Sequence, residues 1–401
     1  MIQTHTKELI LLGGVLKDEA TAALRTAAET EDAAAYARAY ARLLEKDRQR
    51  SFAEHLAECI LYDDNLFARR AFAGTLTEDI RSAYRHDLEA LQSLARLACE
   101  QPASLIPGIA QDFPAIGYGE DNALFGKEWA SERSLSRIEE FYRRNGYGMF
   151  IGNKAFTYEN GALRPVRNTS DISLADLKDY EEEKRAVEDN AVSFLKGLPY
   201  SDMLLYGDKG TGKSSTIHAI LNKYADQGLR AVEIAKEQIR EINAVKELLS
   251  ALPFRFFLFI DDLSLEEHDE KVGLLKAALE GSMNEKSANV MIVATSNRRH
   301  ILKENFSDRD NSVHARDTME EQLSLSDRFG LTVYFSSTGK AEYLSIVRQL
   351  AEDRKLPLPA DELCALAERW ALMKGGRSPR RAKQFIDYAF ACTSKGTPID
   401  F

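Results

Sequence analysis

The stretch from Tyr206 to Ser215, YGDKGTGKSS, places three glycines and two lysines within ten residues. It follows the apolar run DMLL and precedes a segment with helical spacing, so a strand is expected to turn into a helix here. Glycines let consecutive backbone N–H groups point at one anion, and the helix N-terminus adds the positive end of its dipole. The pattern G-x-x-x-x-G-K-[ST] therefore predicts a phosphate-binding loop.

The side chains of this loop have expected roles. The Lys213 ammonium neutralises phosphate oxygens, and the Ser214 hydroxyl ligates Mg²⁺ beside the phosphates. The other residues expected to contact the phosphates are Gly207, Asp208, Lys209, Gly210, Thr211, Gly212 and Ser215.

Two carboxylates follow the apolar run FFLFI, in the segment Phe256 to Leu263. Such a run predicts a strand buried on both faces, and ligands bind at the carboxyl ends of parallel strands. Asp261 is then expected to hold Mg²⁺ through water, and Asp262 to polarise an attacking water as general base. Alone, the pair is also typical of a turn or helix cap; the phosphate loop upstream favours the functional interpretation.

Two further candidates lie at strand ends. The run VMIVATSN ends at Asn297, whose amide is expected to orient the same water, although an Asn there is often a turn residue. Arg328, in SLSDRFGL, directly precedes a predicted strand. It is either an ordinary salt-bridge partner or a finger that stabilises transition-state charge in a neighbouring subunit.

A cluster of cations begins a predicted helix in GGRSPRRAKQF, namely Arg377, Arg380 and Arg381. Cations are unfavourable at a helix N-terminus, so an anion is expected nearby. Nucleotide phosphate is the candidate anion.

The elements around these residues alternate. Strand and helix patterns follow each other from Asp202 to Ser336, which predicts a parallel α/β sheet. Helical patterns fill residues 18 to about 100 and return from Gly339, and Glu159-Asn160-Gly161 predicts a β-hairpin. The expected domains are a helical N-terminal domain (1–145), a β-hairpin connector (146–170), an α/β nucleotide-binding domain (171–338) and a helical lid (339–401).

Composition narrows the function classes. The formal net charge of -10 does not favour an extended nucleic-acid footprint. The four cysteines show no CxxC spacing, which is typical of buried thiols in a reducing cytosol. No apolar run approaches the roughly 20 residues of a membrane span, so no membrane partner and a cytoplasmic location are expected.

These motifs, in this order, resemble those of the AAA+ ATPases, from about Asp171 to the C-terminus. The matching positions are Gly207–Ser214 for Walker A, Phe257–Asp262 for Walker B, Asn297 for sensor 1, Arg328 for the arginine finger and Arg380 for sensor 2. The combinations GDKGTGKSS, DDLSLEE, ATSNRRH and SLSDRFGL are most similar to a bacterial AAA+ family of unknown function. The resemblance implies ATP and Mg²⁺ as cofactors, ATP hydrolysis, and a homo-oligomer assembled through Arg328.

Two departures from the AAA+ pattern matter. The usual Walker B pair is Asp-Glu, whereas this chain has Asp261-Asp262, as in the replication-initiator and helicase-loader branch. Threading unfoldases carry an aromatic-apolar-Gly loop after the second strand, and the corresponding AKEQIREINAVKELLSALP has no aromatic residue. A peptide-pulling pore is therefore disfavoured.

Three functions stay open. The leading one is an ATP-hydrolysing switch that acts on an unidentified protein or nucleoprotein client. The second is a nucleotide-responsive binding module with little hydrolysis. The third is a DNA-associated loader or initiator-like ATPase; Arg298, Arg299 and His300 supply local positive charge, but nucleic acid is not favoured. The polar insertion from Lys303 to Leu323 is interpreted either as a mobile surface loop or as a partner-contacting element.

Overall fold

The computed structural model describes residues 8–46, 51–100, 106, 116–117, 123–266, 270–280, 288–297, 302–303 and 327–401. The chain divides into two compact units, Met1–Asn153 and Lys154–Phe401. In the described part of the chain, no helix has both the length and the apolar character needed to cross a membrane.

The first unit is helical, as expected for residues 18 to about 100. Its α-helices are α1 (Glu19–Thr30), α2 (Ala33–Lys46), α3 (Phe52–Tyr62), α4 (Leu66–Phe72), α5 (Glu78–Glu100) and α6 (Glu132–Asn145). Local capping sets the helix starts: Asp18 caps α1, and Ser51 forms a capping box with Glu54 at α3. The core is aromatic at its centre, where the buried rings of Phe67 and Tyr84 stack at 3.9 Å.

The second unit is built on a sheet of seven described strands in the order β2-β1-β4-β5-β7-β3-β9. The sheet strands are β1 (Ala155–Glu159), β2 (Ala162–Pro165), β3 (Met203–Gly207), β4 (Leu229–Glu233), β5 (Arg255–Ile260), β7 (Val290–Ser296) and β9 (Leu331–Phe335). The short strands β6 (Leu265–Glu266) and β8 (Leu302–Lys303) pair separately in parallel. The helices are α7 (Glu181–Leu195), α8 (Lys213–Tyr224), α9 (Ile242–Ser250), α10 (Glu270–Glu280), α11 (Lys340–Asp353), α12 (Ala360–Met373) and α13 (Pro379–Lys395).

Neighbouring strands from β4 to β9 all pair in parallel, so their carboxyl ends lie at one edge of the sheet. The apolar sequence explains this arrangement: β7 is buried at every residue, and five of six residues of β5 are buried. A single core joins strand residues such as Phe257 and Val293 to Val187 of α7 and Ile217 of α8. The predicted α/β fold is confirmed.

The predicted hairpin also forms. β1 and β2 pair antiparallel around Asn160 and Gly161, which both have left-handed backbone (φ +50° and +81°). β1 also pairs in parallel with β4, so the hairpin extends the main sheet of the second unit. The finer domain boundaries expected from the sequence stay predictions.

The C-terminal helices α11 to α13 pack around their own apolar core. Its largest members are Tyr343, Trp370 and Phe385, and the C-terminal Phe401 ring packs against Trp370. We call the three helices α11 to α13 the lid; its expected extent as a domain, 339–401, stays a prediction.

Candidate functional site

The phosphate loop leaves the carboxyl end of β3 and enters α8 in a shape that requires glycine. Gly207, Gly210 and Gly212 have φ values of +137°, +86° and +102°. A Cβ atom at Gly207 would lie 2.0 Å from the carbonyl oxygen of Phe335. Only glycine adopts these angles without strain, so the glycine spacing seen in the sequence reflects the backbone itself.

Lys213, the first residue of α8, is buried beneath the loop. Its Nζ donates hydrogen bonds to the carbonyl oxygens of Gly207 (2.9 Å) and Asp208 (2.8 Å) and to Oδ1 of Asn297 (3.2 Å). Burial lowers the pKa of the Lys213 ammonium to about 8, against the opposing effect of nearby carboxylates. A bound phosphate would give the buried Lys213 ammonium an anionic partner.

The two acids at the end of β5 have different partners. The Ser214 hydroxyl donates to Oδ1 of Asp261 at 2.6 Å, and the Thr295 hydroxyl donates to the same oxygen at 2.5 Å. Nδ2 of Asn297 donates to Oδ1 of Asp262 at 2.5 Å. The carboxyl ends of β3, β5 and β7 thus bring together four residues singled out in the sequence: Ser214, Asp261, Asp262 and Asn297.

Thr295 is a residue that the motif analysis did not select. Its buried hydroxyl both donates to Asp261 and accepts from the backbone N–H of Asp262 at 3.0 Å. Asp262 has left-handed backbone, with φ of +51°, so this hydrogen bond fixes an unusual turn between the two acids. The sequence signal that could have identified Thr295 is its polar side chain inside the apolar run VMIVATS.

The lid contacts the loop through the start of α13. The backbone N–H of Arg380 donates to the carbonyl of Gly210 at 3.2 Å, and a Cβ atom at Gly210 would lie 3.1 Å from Ser378 Oγ. For one arginine of the cation cluster, the expected anion is a carboxylate of the protein itself. Arg377 donates two hydrogen bonds to Glu368, at 2.9 and 2.8 Å. Arg377 is thus paired with a protein carboxylate, whereas Arg380 lines the cavity.

A cavity of about 350 Å³ extends from the loop towards the lid. Lys209, Ser215 and the other loop residues from Gly210 to Ser214 line one part of it. Apolar side chains line another part, namely Ile172, Leu177, Ile346 and Leu350. A polar part for phosphates and an apolar part for a base are what a nucleotide site needs.

One wall of the cavity is a strained corner before α7. Asp179 and Tyr180 have consecutive left-handed backbone angles, φ +72° and +61°. The Tyr180 hydroxyl donates to the carbonyl of Ser336 at 2.8 Å and exchanges a hydrogen bond with Thr338 at 3.1 Å. This corner, which no sequence motif marked, connects the cavity to residues 336–339 between β9 and α11, a segment that we call the hinge.

Arg328 is not brought to the site. It lies three residues before β9, and Leu331 at the start of β9 pairs with Met203 at the amino end of β3. The phosphate loop follows the opposite end of β3, roughly 13 Å away along the strand. Residues 298–300 and most of the insertion, 304–323, lie outside the described residues.

The residues present fit ATP with Mg²⁺. Ser214 and Asp261 offer hard oxygen donors side by side, the ligand type that Mg²⁺ prefers. A Cβ atom built at Gly212 would meet nothing within 4 Å, so this part of the loop is open, and Lys213 supplies positive charge beneath it.

A family model with the description "Protein of unknown function (DUF815)" matches residues 152–392. The chain belongs to this family. The match covers the sheet, the phosphate loop and most of the lid, and the architecture of that region is an α/β fold with a mostly parallel sheet. No curated protein matches the chain.

Solved structures with a similar fold are distant. The RuvB Holliday junction branch migration motor of Thermotoga maritima is 17% identical, with a TM-score of 0.38, and the match covers 56% of this chain and 66% of that one. The FIGL-1 AAA domain in complex with ADP is 18% identical, with a TM-score of 0.38 and coverages of 57% and 76%. The Aeropyrum pernix ORC1 protein in complex with DNA is 16% identical, with a TM-score of 0.41 and coverages of 57% and 63%. The chain thus spans just under two thirds of RuvB, and these matches carry no argument about activity or partners.

Proposed function

We propose that this protein is an AAA+ ATPase that binds ATP with Mg²⁺, hydrolyses it, and uses the resulting change to remodel an unidentified protein or nucleoprotein client. The observation that carries the proposal is the pairing of Ser214 with Asp261 and of Asn297 with Asp262, at 2.6 and 2.5 Å, beside the loop. In this arrangement, Ser214 and Asp261 would hold the metal ion, and Asp262 and Asn297 would activate the attacking water.

Binding is assigned to the loop and α8. The backbone N–H groups of the loop and the Lys213 ammonium hold the phosphates, while Ser214 and Asp261 hold Mg²⁺. The bound Mg²⁺ neutralises charge that develops on the phosphates. Arg380, which lines the cavity from the lid, adds a cation that senses whether the phosphates are present.

Hydrolysis is assigned to Asp262 and Asn297. The Asp262 carboxylate accepts a proton from the attacking water, and the Asn297 amide orients that water. The position of Arg328 at the far end of the sheet supports a role in a neighbouring subunit, and hence a homo-oligomer.

Two substitutions test the proposal together. Lys213→Ala is expected to abolish detectable ATP binding in calorimetry with the fold intact. Asp262→Asn is expected to leave ATP affinity nearly unchanged and to lower turnover by about 10²-fold or more, the usual size of a general-base effect. Glu237→Gln, on an exposed segment, is the control for a change of one negative charge. Tight ATP binding by Lys213→Ala, or full turnover by Asp262→Asn, would overturn these assignments.

The second candidate is a binding module that responds to ATP but hydrolyses it slowly. It is favoured by the Asp261-Asp262 pair, because the usual AAA+ pair is Asp-Glu and the shorter Asp262 side chain has less reach towards an attacking water. Slow turnover of the assembled wild-type protein with saturating ATP would select this function.

A DNA-associated role is the third candidate, supported weakly by the initiator-like Asp261-Asp262 pair. Counterion release predicts that any DNA affinity falls steeply between about 50 and 200 mM salt. Filter binding across that range, with and without ATP, discriminates it from the other two functions.

A further inference from the structure

The first unit contains a cluster of three metal-ligating side chains: Asp18, His55 and Cys59. Nε2 of His55 lies 2.9 Å from Oδ1 of Asp18 and 3.6 Å from Sγ of Cys59. All three ligand atoms lie within 4.8 Å of one another. Among the described residues, no other group of three such side chains comes together in this way.

Helix geometry explains why the cluster forms. His55 and Cys59 are one turn apart on α3, so their side chains lie on the same face. Asp18 is the residue that caps α1, and the packing of the first unit brings this cap against α3. Nothing in the cap itself requires a histidine and a thiol at this point.

The arrangement does not suit a nucleophilic triad. In a Cys-His-Asp relay, the thiol contacts one ring nitrogen and the carboxylate contacts the other. Here both partners contact the same atom, Nε2 of His55. The ring therefore cannot take a proton from Cys59 while Asp18 holds its opposite nitrogen.

A bound metal ion holds its ligand atoms close to one another. Four-coordinate Zn²⁺ has bonds of about 2.0–2.3 Å, which place neighbouring ligand atoms about 3.3–3.7 Å apart. The observed 3.6 Å from Nε2 to Sγ lies in this range, and the 2.9 Å to Oδ1 needs only a small shift of the carboxylate.

The α1 cap can coexist with a metal. One carboxylate oxygen of Asp18 accepts from the backbone N–H groups of Ala20 and Thr21 at 3.1 and 3.0 Å. This oxygen, Oδ1, is also the one that lies 2.9 Å from Nε2 of His55, so an ion bound by Oδ1 would require the cap bonds to shift towards Oδ2, the second oxygen of the carboxylate. The side chains of His55 and Asp18 are only 10% and 13% exposed, which limits competition from water.

We propose that Asp18, His55 and Cys59 form a Zn²⁺ site that links the start of α1 to α3. Three protein ligands of mixed N, O and S type leave the fourth position of Zn²⁺ for water. The three ligands all belong to the first unit, whereas the phosphate loop belongs to the second.

Cobalt spectroscopy of the full-length protein tests the site directly. Co²⁺ bound by a thiolate in tetrahedral geometry gives a sulfur-to-cobalt charge-transfer band and strong visible bands. We expect both with one equivalent of Co²⁺ and their loss on addition of Zn²⁺. Cys59→Ser should abolish the charge-transfer band, whereas the matched control Cys364→Ser, also a partly exposed thiol, should keep it.

Asp261→Asn provides a second control, since it alters the ATP site and should leave the cobalt spectrum unchanged. Absence of the band in the wild type, or its survival in Cys59→Ser, would overturn the proposal. If Cys59→Ser does not fold, protection of Cys59 from alkylation by Zn²⁺ in the wild type, mapped by mass spectrometry, decides the question. Zn²⁺ should slow alkylation of Cys59 at least tenfold and leave Cys364 unaffected; equal rates exclude the site.

Discussion

Thr295 connects the two acidic residues of the candidate active site. Its hydroxyl donates to Asp261 and accepts from the backbone of Asp262, and the residue is 2% exposed. Thr295→Val keeps the shape but removes both hydrogen bonds, so the carboxylate of Asp262 loses its fixed direction. We expect kcat to fall about 10- to 100-fold, since small misplacements of catalytic groups cost this much.

ATP affinity of Thr295→Val should fall much less than kcat, because Lys213 and the loop are not altered and Asp261 keeps its hydrogen bond from Ser214. Thr295→Ser keeps the hydroxyl and should retain most of the turnover. Steady-state kinetics with calorimetry measures both quantities. Equal kcat values for the Val and Ser variants would show that the hydroxyl plays no part in positioning.

The lowered pKa of Lys213 predicts a pH dependence of ATP binding. Burial lowers the pKa of its ammonium to about 8 in the nucleotide-free protein, where the charges of Asp208, Asp261, Asp262 and Arg380 also act on it. Bound phosphate favours the charged form and raises this pKa, so the complex holds the proton more tightly than the free protein does. ATP affinity should therefore be full below about pH 8 and fall as the pH rises further, by at most tenfold per unit.

Calorimetry in buffers of different ionisation enthalpy measures the expected proton uptake directly. Protonation of ATP does not contribute to the measured proton uptake above pH 8, because phosphate groups with a pKa near 6 are already ionised there. Binding without proton uptake between pH 8 and 9 would contradict the lowered pKa of Lys213.

At the scale of elements, the strained corner before α7 connects the cavity to the lid hinge. The Tyr180 hydroxyl bonds to Ser336 and Thr338, and its ring packs against Phe335 at 5.3 Å. Tyr180→Phe removes the hydroxyl and should weaken the hinge by about 1 kcal/mol, which corresponds to roughly fivefold faster amide exchange. Hydrogen exchange of residues 336–343 measures this effect.

Tyr388→Phe is the matched control for the hinge. Tyr388 lies in the lid, and its hydroxyl donates to the backbone carbonyl of Asp400 at 2.6 Å. This variant should change exchange near the C-terminus and leave the hinge unchanged. If both variants leave exchange at residues 336–343 unaltered, the Tyr180 hydroxyl does not hold the hinge.

The parts of the fold that the sequence predicted are those that depend on local patterns. The strands from β3 to β9 carry continuous apolar runs, and the phosphate loop needs its glycines for backbone reasons alone. Pairing between distant segments could not be predicted in the same way. Strand β1 shows a hairpin signal locally, but its parallel pairing with β4 depends on residues more than 70 positions away.

The residues of the candidate site also divide into those that a local sequence pattern predicts and those that depend on distant contacts. Asp261, Asp262 and Asn297 were predictable because motif spacing places them at strand ends. Thr295 and the Tyr180 corner act through contacts with distant residues, and the left-handed angles at Asp179 and Tyr180 leave no glycine signal in the sequence. Arg377 stands beside Arg380 in the sequence, and its ion pair with Glu368, nine residues away, could not be predicted from that position.

At the scale of the whole molecule, Arg328 and the phosphate loop lie at opposite ends of one sheet. A subunit cannot bring its own Arg328 to its own Lys213. Contact between them requires a second copy placed head to tail, the heterologous arrangement that generates rings or helical assemblies. We therefore expect ATP-dependent assembly, and an active site shared between neighbours.

Mixing two inactive variants tests this shared site. Arg328→Ala should bind ATP normally and hydrolyse it poorly, because fingers of this kind contribute about 10³–10⁵ to the rate in related phosphoryl-transfer systems. Lys213→Ala should not bind ATP. In a mixture, some interfaces combine an intact Arg328 from one subunit with an intact Lys213 from the next, so part of the turnover should return. If Arg328 is instead an ordinary salt-bridge partner, mixing restores nothing; no recovery at any ratio, with hetero-assembly verified by light scattering, would exclude the finger and favour the slow binding module.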